Sequence, residues 1–147
     1  MQIQAKSRLE SADVTTYDFK DGKGKVPAHQ HSNGGGWVAD NATVSPTAFV
    51  GKDAKVFGNA WVSGRARVSG RARVYENARV SGNATISYNG DVFGNARVGG
   101  DAWVYENAQV FGDAQVFGNA WVYGRACVSG TAKVFGTTKV SGDTQLY

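Results

Sequence analysis

The dominant pattern along the chain is an apolar residue at every sixth position from Val38 to Leu146. Each of these positions holds Val except 86, which is Ile, and 146, which is Leu. A second small apolar position lies four residues after each of them, and it is Ala in 15 of the 18 complete units between residues 38 and 145. A six-residue unit cannot bury its apolar side alone, so the period predicts a stack of repeats that share one interior.

Within each unit the order of residue types predicts a short strand followed by a corner. The neighbours of the repeating Val point outward by alternation, as Arg67 and Ser69 do around Val68. Gly is the commonest residue at the third place of the unit, and Asn or Asp fills the fourth place in 12 of the 18 units. These residue types tolerate positive φ or bond to their own backbone. The chain is therefore predicted to be all-β.

Two segments follow from the pattern: residues 1–37, outside the repeat, and residues 38–147, inside it. The open end of a stack exposes unpaired strand groups that need a cover. We interpret residues 1–37 as an N-terminal cap or arm. The glycine-rich residues 33–36 lack the Lys-Ser or Lys-Thr of a phosphate loop and are interpreted as a hinge between arm and stack.

A strand and a corner every six residues, with Val and Ala both inside, resembles the hexapeptide-repeat proteins of the hexapeptide transferase superfamily. The resemblance covers about three quarters of the chain. It implies a left-handed parallel β-helix, a β-solenoid of about six triangular coils, each made of three hexapeptide units. Left-handed coiling departs from the usual crossover rule, so the handedness is implied by the resemblance alone, and a right-handed solenoid remains the alternative.

A coil of three hexapeptide units places residue n under residue n+18, so the exterior can be divided into columns on three faces. The first face carries an aromatic column beside Arg73, consisting of Phe57, Tyr75, Phe93 and Phe111. Adjacent coils hold such rings about 5 Å apart, where offset stacking is favourable. The column is interpreted either as an internal ladder or as a subunit interface. Family members are commonly trimers, so the resemblance implies a homo-oligomer with a trimer favoured.

The second face combines Trp61 with Arg79 and Arg97, beside a strip of small residues. The two guanidinium groups and the strip suit a phosphate or a carboxylate, although surface packing of Arg on Trp explains the same residues. Arg67, on the third face, and Arg73 are further candidates for ligand binding.

On the third face four large rings are predicted to form a cluster, made of Trp103, Tyr105, Trp121 and Tyr123. They are interpreted as a surface that stacks a sugar or a base, or that packs on a partner chain. The unit at residues 86–91 breaks the formula, with Tyr88 at the corner and Gly90 inside. A local bulge and a contact site both explain it.

Charge and composition limit the kinds of partner that the chain can bind. The net charge is +4 and the pI is near 9.3, which permits binding to nucleic acid or another polyanion through six arginines, Arg65, Arg67, Arg71, Arg73, Arg79 and Arg97. No apolar stretch approaches the ~20 residues that a membrane helix requires, so no membrane partner is expected. With a single cysteine, Cys127, and no charged and apolar signal pattern at the N-terminus, we expect a cytoplasmic protein.

The family resemblance raises the question of catalysis. Acyltransferases of the superfamily typically use a histidine as general base at a subunit interface, but the coils here contain none, and His29 and His31 precede them. The loop and the C-terminal helix of many family members are also missing from the sequence. Two histidines spaced His-X-His fall short of the three protein ligands that zinc usually takes, so neither a metal site nor a cofactor is predicted.

These observations favour a non-catalytic, self-associating solenoid that presents a basic and aromatic surface to a protein partner or an anionic small molecule. The short, simplified units look like those of hexapeptide-repeat proteins of bacteria and their phages, which implies a sequestering or inhibitory role. Two alternatives stay open. One is an acyltransferase-like enzyme that uses His29 or His31, and the other is a nucleic-acid or polyanion binder.

Overall fold

The computed structural model describes residues 15–147, which form 21 short strands and no helix. In chain order the strands are β1 (Thr16–Asp18), β2 (Lys25–Gln30), β3 (Trp37–Ala39), β4 (Thr43–Val44), β5 (Phe49–Val50), β6 (Lys55–Val56), β7 (Trp61–Val62), β8 (Arg67–Val68), β9 (Arg73–Val74), β10 (Arg79–Val80), β11 (Thr85–Ile86), β12 (Asp91–Val92), β13 (Arg97–Val98), β14 (Trp103–Val104), β15 (Gln109–Val110), β16 (Gln115–Val116), β17 (Trp121–Val122), β18 (Cys127–Val128), β19 (Lys133–Val134), β20 (Lys139–Val140) and β21 (Gln145–Leu146).

The strands form three sheets, and within the repeat each strand pairs with the strands three places before and three places after it in the chain. The first sheet has the order β1-β2-β3-β6-β9-β12-β15-β18-β21, the second β4-β7-β10-β13-β16-β19, and the third β5-β8-β11-β14-β17-β20. All pairs from β3 onward are parallel and place residue n beside residue n+18, as with Val62 and Val80. The predicted parallel β-solenoid of about six coils, with 18-residue spacing between paired positions, is therefore confirmed.

The interior is a column of Val and Ala. From Val50 to Val128 the inward Val and Ala side chains are at most 1% exposed, and Ile86 joins them. Each coil is tied to the next through the backbone, for example from the Thr43 N–H to the Ala60 carbonyl at 2.9 Å. Strands of two or three residues are stable here because both neighbours in the stack pair with them and the apolar side is completely removed from water.

The corners explain the periodic glycines. Gly82 has a φ of 65°, and a Cβ atom there would lie 2.9 Å from the backbone oxygen of Gly100 in the next coil. Three corners hold other residues at positive φ: Glu76, Tyr88 and Glu106. The two glutamates accept hydrogen bonds from the backbone N–H groups of the corner glycines one coil above, at 2.8 and 2.7 Å. This side-chain to backbone bond compensates part of the strain of a left-handed conformation.

The irregular unit at residues 86–91 keeps the normal register. Strands β11 and β12 pair with both neighbours without an extra residue, so the interpretation as a bulge is wrong. A Cβ atom on Gly90 would lie 2.9 Å from the Val104 carbonyl oxygen and 3.3 Å from Cγ2 of Ile86. The backbone oxygen of Ser87 would be nearer than Ile86, at 3.1 Å, so the close backbone and the larger Ile86 together leave no room for an Ala side chain at position 90.

The N-terminal hairpin covers one edge of the stack. Strands β1 and β2 pair antiparallel, and β2 pairs antiparallel with β3. Phe19 is 2% exposed and stacks on Phe57 at a centroid distance of 4.8 Å, and Tyr17 stacks on Trp37 at 4.6 Å. The edge of the third sheet, at Val50, is covered by the loop between β2 and β3, where the Gly36 N–H donates to the Val50 carbonyl. Residues 1–14 of the predicted arm lie outside the described residues.

The C-terminal end leaves the last strand of each sheet without a further neighbour among residues 15–147. Lys133 and Lys139 occupy two of these strands, and the inward Ala of the repeat is replaced by Thr138 and Thr144, both exposed. Charged side chains on an edge strand oppose the pairing of one edge with another. Charged side chains therefore occupy two of the three edge strands at this end of the described residues.

Exchange of the irregular pair at Ile86 and Gly90 tests the packing explanation. Gly90→Ala should destabilise the fold by about 1–3 kcal/mol through overpacking. The double variant Ile86→Val/Gly90→Ala recreates the common Val and Ala pair and should recover the part of that loss that comes from contact with Ile86, while the part that comes from the backbone oxygens of Val104 and Ser87 remains. Guanidinium unfolding midpoints of the wild type and the three variants, Ile86→Val alone included, measure the effect. A double variant as unstable as Gly90→Ala would contradict the explanation.

Removal of the Phe19 ring should loosen the hairpin selectively. Burial of a Phe side chain is worth about 3–5 kcal/mol, so Phe19→Ala is expected to raise hydrogen exchange in residues 16–30 while residues 60–128 keep their protection. Phe135→Ala, which removes a ring that is 49% exposed, is the matched control and should leave both regions protected. Uniform loss of protection along the whole stack would refute a local role.

Candidate anion-binding site

The register of the second sheet brings three outward side chains into one column. Strands β7, β10 and β13 are consecutive neighbours, so Trp61, Arg79 and Arg97 follow one another at the spacing of adjacent strands. All three side chains are exposed. Because the inward neighbours Val62, Val80 and Val98 fix each strand in the stack, the outward side chains start from rigid backbone positions.

Beside this column a row of small residues forms the floor of a groove. Ser63 and Ser81 lie beside Trp61 and Arg79, and Gly99 follows in the next coil. A Cβ atom on Gly99 would lie 2.7 Å from the ring of Phe117, so that ring covers the space where a side chain would be. The groove encloses about 320 Å³ and is lined by Trp61, Ser63, Arg79, Ser81, Arg97 and Phe117.

The charge of the groove is not balanced from within the described chain. Arg79 places its guanidinium carbon 5.7 Å from the centroid of the Trp61 ring. Within residues 15–147 neither Arg79 nor Arg97 has a carboxylate within 4.0 Å, and the lining holds no acidic residue. Two guanidinium groups and two hydroxyls that face the same space can bind a phosphate or a carboxylate. The stacking of Arg on Trp and an anion site are compatible here.

The two other arginines named as ligand candidates lie elsewhere. Arg67 is on the third face, with its guanidinium carbon 4.5 Å from the Phe49 centroid. Arg73 is on the first face, where Nε and Nη2 donate to the two Asp91 oxygens at 3.1 and 2.9 Å. This hydrogen bonding raises the pKa of Arg73 above its ordinary value. The structure therefore joins three of the five candidates and separates two, one of which is already paired.

The aromatic column of the first face is a continuous stack. Phe57, Tyr75, Phe93 and Phe111 lie 4.8, 5.0 and 4.8 Å apart, with interplanar angles of 6° or less. Phe19 of the hairpin extends it at the lower end, a neighbour that the repeat spacing alone does not predict because the hairpin lies outside the repeat. Each stacked pair adds about 0.5–1.5 kcal/mol beyond burial. The internal ladder is thus present, and a subunit interface at the same column stays a prediction.

The four rings of the third face also meet. Trp103 and Trp121 lie 5.8 Å apart, and Tyr105 and Tyr123 lie 5.1 Å apart. Edge contacts of 6.0 and 6.1 Å join the two columns. Trp103 and Trp121 remain 43% and 36% exposed, so the cluster is available at the surface of the single chain. Lys139 covers the upper side of Trp121 with its Nζ 4.9 Å from the ring centroid.

The two histidines occupy different environments. His31 is buried, and its Nε2 lies 2.9 Å from the Ala48 carbonyl oxygen, which can only accept, so Nε2 carries the proton and donates it. Together with the amide of Asn33, which donates to the same oxygen, it fixes the loop before the first coil. His29 is exposed, with Nδ1 2.8 Å from an oxygen of Asp40. Among residues 15–147 no three His, Cys, Asp or Glu side chains are grouped to hold a metal ion.

The sequence predicted the guanidinium groups and the small strip and placed Phe117 in the same row as the strip, but it did not predict that the Phe117 ring forms a wall of the groove. The signal for it is present: Gly99 stands at a strand position, and the equivalent position one coil later holds a large ring. The Phe117 ring can lean over the strip only because Gly99, one coil below it, has no Cβ atom.

The part of the chain that the structure describes has no helix long and apolar enough to cross a membrane.

The Tyr75 phenol should make the fold sensitive to alkaline pH. Burial raises the pKa of Tyr75 above its ordinary value, with Asp91 acting in the same direction and Arg73 opposing it. The folded chain then holds this proton more tightly than the unfolded chain. The stabilisation is complete below the unfolded pKa of about 10 and is lost as pH rises through the raised pKa. Thermal melting at about pH 8.5 and pH 11 should show a smaller alkaline loss for Tyr75→Phe than for the wild type. Tyr147→Phe, which changes an exposed phenol, is the control, and equal losses in all three proteins would contradict this.

Comparison with known proteins adds to this picture at the level of the repeat. A family model described as the YdcK beta solenoid repeat matches residues 66–79 and 108–124. Both stretches lie within the regular coils, where the inward Val and Ala are completely buried. No curated protein and no solved structure matches the chain. Sequence similarity and structure therefore agree that this chain is a β-solenoid repeat protein.

Proposed function

We propose that this β-solenoid is a binding module that captures an anionic small molecule in the groove of its second face. The observation that carries the proposal is the pair Arg79 and Arg97, which lie on adjacent coils, face one groove and have no carboxylate within 4.0 Å in residues 15–147. Two like charges held side by side repel each other, and a phosphate or carboxylate placed between them removes that repulsion while accepting several hydrogen bonds.

The remaining lining residues select the rest of the ligand. Trp61 at one end and Phe117 at the other offer apolar rings on either side of the guanidinium pair, and the hydroxyls of Ser63 and Ser81 lie between them. An anion attached to a flat apolar group fits this combination better than a bare inorganic anion. The backbone ladder fixes the starting point of every lining side chain, so the entropy lost when the ligand binds is limited to the side chains themselves.

The groove supports binding better than the two alternatives. For an acyltransferase, the Nε2 proton of His31 is donated to the Ala48 carbonyl, which leaves exposed His29 as the general-base candidate, and its Nδ1 is hydrogen-bonded to Asp40. For a polyanion binder, the arginines should form one stripe. Instead Arg67, Arg73 and Arg79 lie on three different faces. Six arginines on separate faces cannot all contact one straight polyanion.

Self-association is the second part of the proposal. The cluster of Trp103, Tyr105, Trp121 and Tyr123 is the broadest exposed aromatic area on the third face, and aromatic residues are enriched at protein interfaces. The resemblance to hexapeptide-repeat proteins favours a trimer. Native mass spectrometry of protein purified gently from its host reports the subunit count and any retained ligand in one experiment. A monomer would contradict self-association and leave the groove proposal to its own test.

Removal of the guanidinium pair should abolish most anion binding. Each charge-assisted hydrogen bond contributes about 1.5–3 kcal/mol, so Arg79→Gln/Arg97→Gln is expected to lower the affinity for phenyl phosphate by at least about tenfold in calorimetric titration. Arg65→Gln/Arg67→Gln removes the same charge outside the groove and should change it by less than about threefold. Equal losses in the two double variants, or no binding by the wild type, would disprove the proposal.

The Trp61 ring should account for the preference between ligands. The wild type is expected to bind phenyl phosphate more tightly than inorganic phosphate, because the ring of the ligand stacks on Trp61 or Phe117. Trp61→Ala should weaken phenyl phosphate binding and leave inorganic phosphate binding almost unchanged. The ratio of the two dissociation constants measures this. An unchanged ratio in the variant would exclude the ring as a contact.

A further inference from the structure

A second basic cavity lies on the first face, where the N-terminal hairpin meets the lower coils. It encloses about 510 Å³, and its lining combines residues of the hairpin with residues of the lower coils: Tyr17, Gln30, Trp37, Lys52, Asp53, Lys55, Arg71 and Arg73. None of these residues lines the groove of the second face. The cavity is therefore a separate site that exists only because the hairpin folds against the coils.

The solenoid register brings the cationic side chains together. Lys55 and Arg73 are paired residues on β6 and β9, directly above Trp37 on β3. Lys52 and Arg71 belong to the corner that leads into these strands, one in each of two successive coils. Four cationic side chains from two stacked units thus border one cavity, although the two units are a full coil apart in sequence.

The cavity keeps an excess of positive charge. Arg73 is paired with Asp91 through two hydrogen bonds. Within the described residues 15–147, Lys52, Lys55 and Arg71 have no carboxylate within 4.0 Å, and Asp53 is the single acidic residue of the lining. Like charges this close are unfavourable, and a ligand with several negative charges would remove the repulsion.

The wall beneath these cations is aromatic. Tyr17 stacks on Trp37 with a centroid distance of 4.6 Å and an interplanar angle of 21°, and the Lys55 ammonium lies 5.4 Å from the Tyr17 centroid. The next aromatic residue of the hairpin, Phe19, is buried against Phe57 and anchors this wall to the ladder. The cavity thus combines a fixed aromatic surface with three unpaired cations.

We propose that this cavity binds an oligophosphate group, a chain of two or more linked phosphates, either free or carried by a nucleotide. Three cations without a carboxylate within 4.0 Å in residues 15–147 match a ligand with several charges, whereas the second-face groove has two guanidinium groups that suit one. Lys52 and Arg71 contact the phosphates from the corner, and Lys55 contacts them from the strand. The stacked pair of Tyr17 and Trp37 borders the organic part of the ligand when there is one.

Calorimetric titration of the full chain with tripolyphosphate tests the site. The wild type is expected to bind tripolyphosphate at least about tenfold more tightly than inorganic phosphate at low ionic strength, because each added charge meets another cation. Lys52→Gln/Arg71→Gln changes two exposed side chains and should lower the affinity for tripolyphosphate by at least about tenfold. Thermal melting of the variant verifies that the fold is retained.

Two matched variants separate this site from diffuse attraction and from the second-face groove. Lys133→Gln/Arg65→Gln removes one lysine and one arginine outside the cavity, and Arg79→Gln/Arg97→Gln disables the groove. Both should keep tripolyphosphate binding within about threefold of the wild type. Equal loss in all three double variants, or equal wild-type affinity for inorganic phosphate and tripolyphosphate, would overturn the proposal. Loss confined to Arg79→Gln/Arg97→Gln would overturn it as well, and would instead assign oligophosphate to the groove.

Titration with ADP and pyrophosphate distinguishes the two sources of the phosphate chain. If a nucleotide is the ligand, ADP binds more tightly than pyrophosphate in the wild type, and Tyr17→Ala removes that difference. If the free oligophosphate is the ligand, the two probes bind equally well and Tyr17→Ala changes both affinities by the same factor. A single-stranded oligonucleotide that binds more tightly than both, with losses spread over all arginine variants, would contradict a small-molecule site.

Discussion

The backbone ladder that joins each coil to the next governs the rest of the molecule. The outward residue of each strand, such as Thr43 or Trp61, donates its N–H at 2.9 Å to the carbonyl oxygen of the inward Ala that precedes the paired strand of the next coil. This pattern is repeated through the stack, and because no residue is inserted between residues 38 and 145, every coil there consists of three hexapeptide units. Every inward position must then match the volume of its neighbours, and every outward side chain has two fixed neighbours, one below and one above.

This constraint converts sequence positions into surfaces. A large ring repeated once per coil becomes a stacked ladder, as with Tyr75 and Phe93 at 5.0 Å. Two arginines at the same interval become an adjacent pair, which an anion or a carboxylate of the chain must balance. Arg73 obtains that balance from Asp91 one coil above, but Arg79 and Arg97 have no such neighbour in residues 15–147. The difference between a structural ion pair and a candidate ligand site therefore depends on a single residue type one coil away.

Departures from the repeat have local physical explanations. Ile86 and Gly90 exchange volume inside one unit, so the irregular sequence leaves the register unchanged. Glu76 and Glu106 occupy corners at positive φ and return a hydrogen bond to the coil above. The hydrogen bonds of these two glutamates could not be predicted from the repeat pattern, because they depend on where a flexible side chain ends rather than on the period.

The hexapeptide period was sufficient to predict stacked repeats with buried Val and Ala. The resemblance to hexapeptide-repeat proteins added the grouping in threes, and with it the parallel solenoid and the columns on each face, because a regular ladder maps sequence distance directly onto space. Sequence also named Trp61, Arg79 and Arg97 as neighbours for the same reason. It could not predict the contacts of residues outside the repeat. The stacking of Phe19 on Phe57, the buried hydrogen bond of His31 and the cavity between Tyr17 and Lys52 depend on how the hairpin packs against the coils. No period relates the hairpin to the coils, so these contacts follow from packing in three dimensions alone.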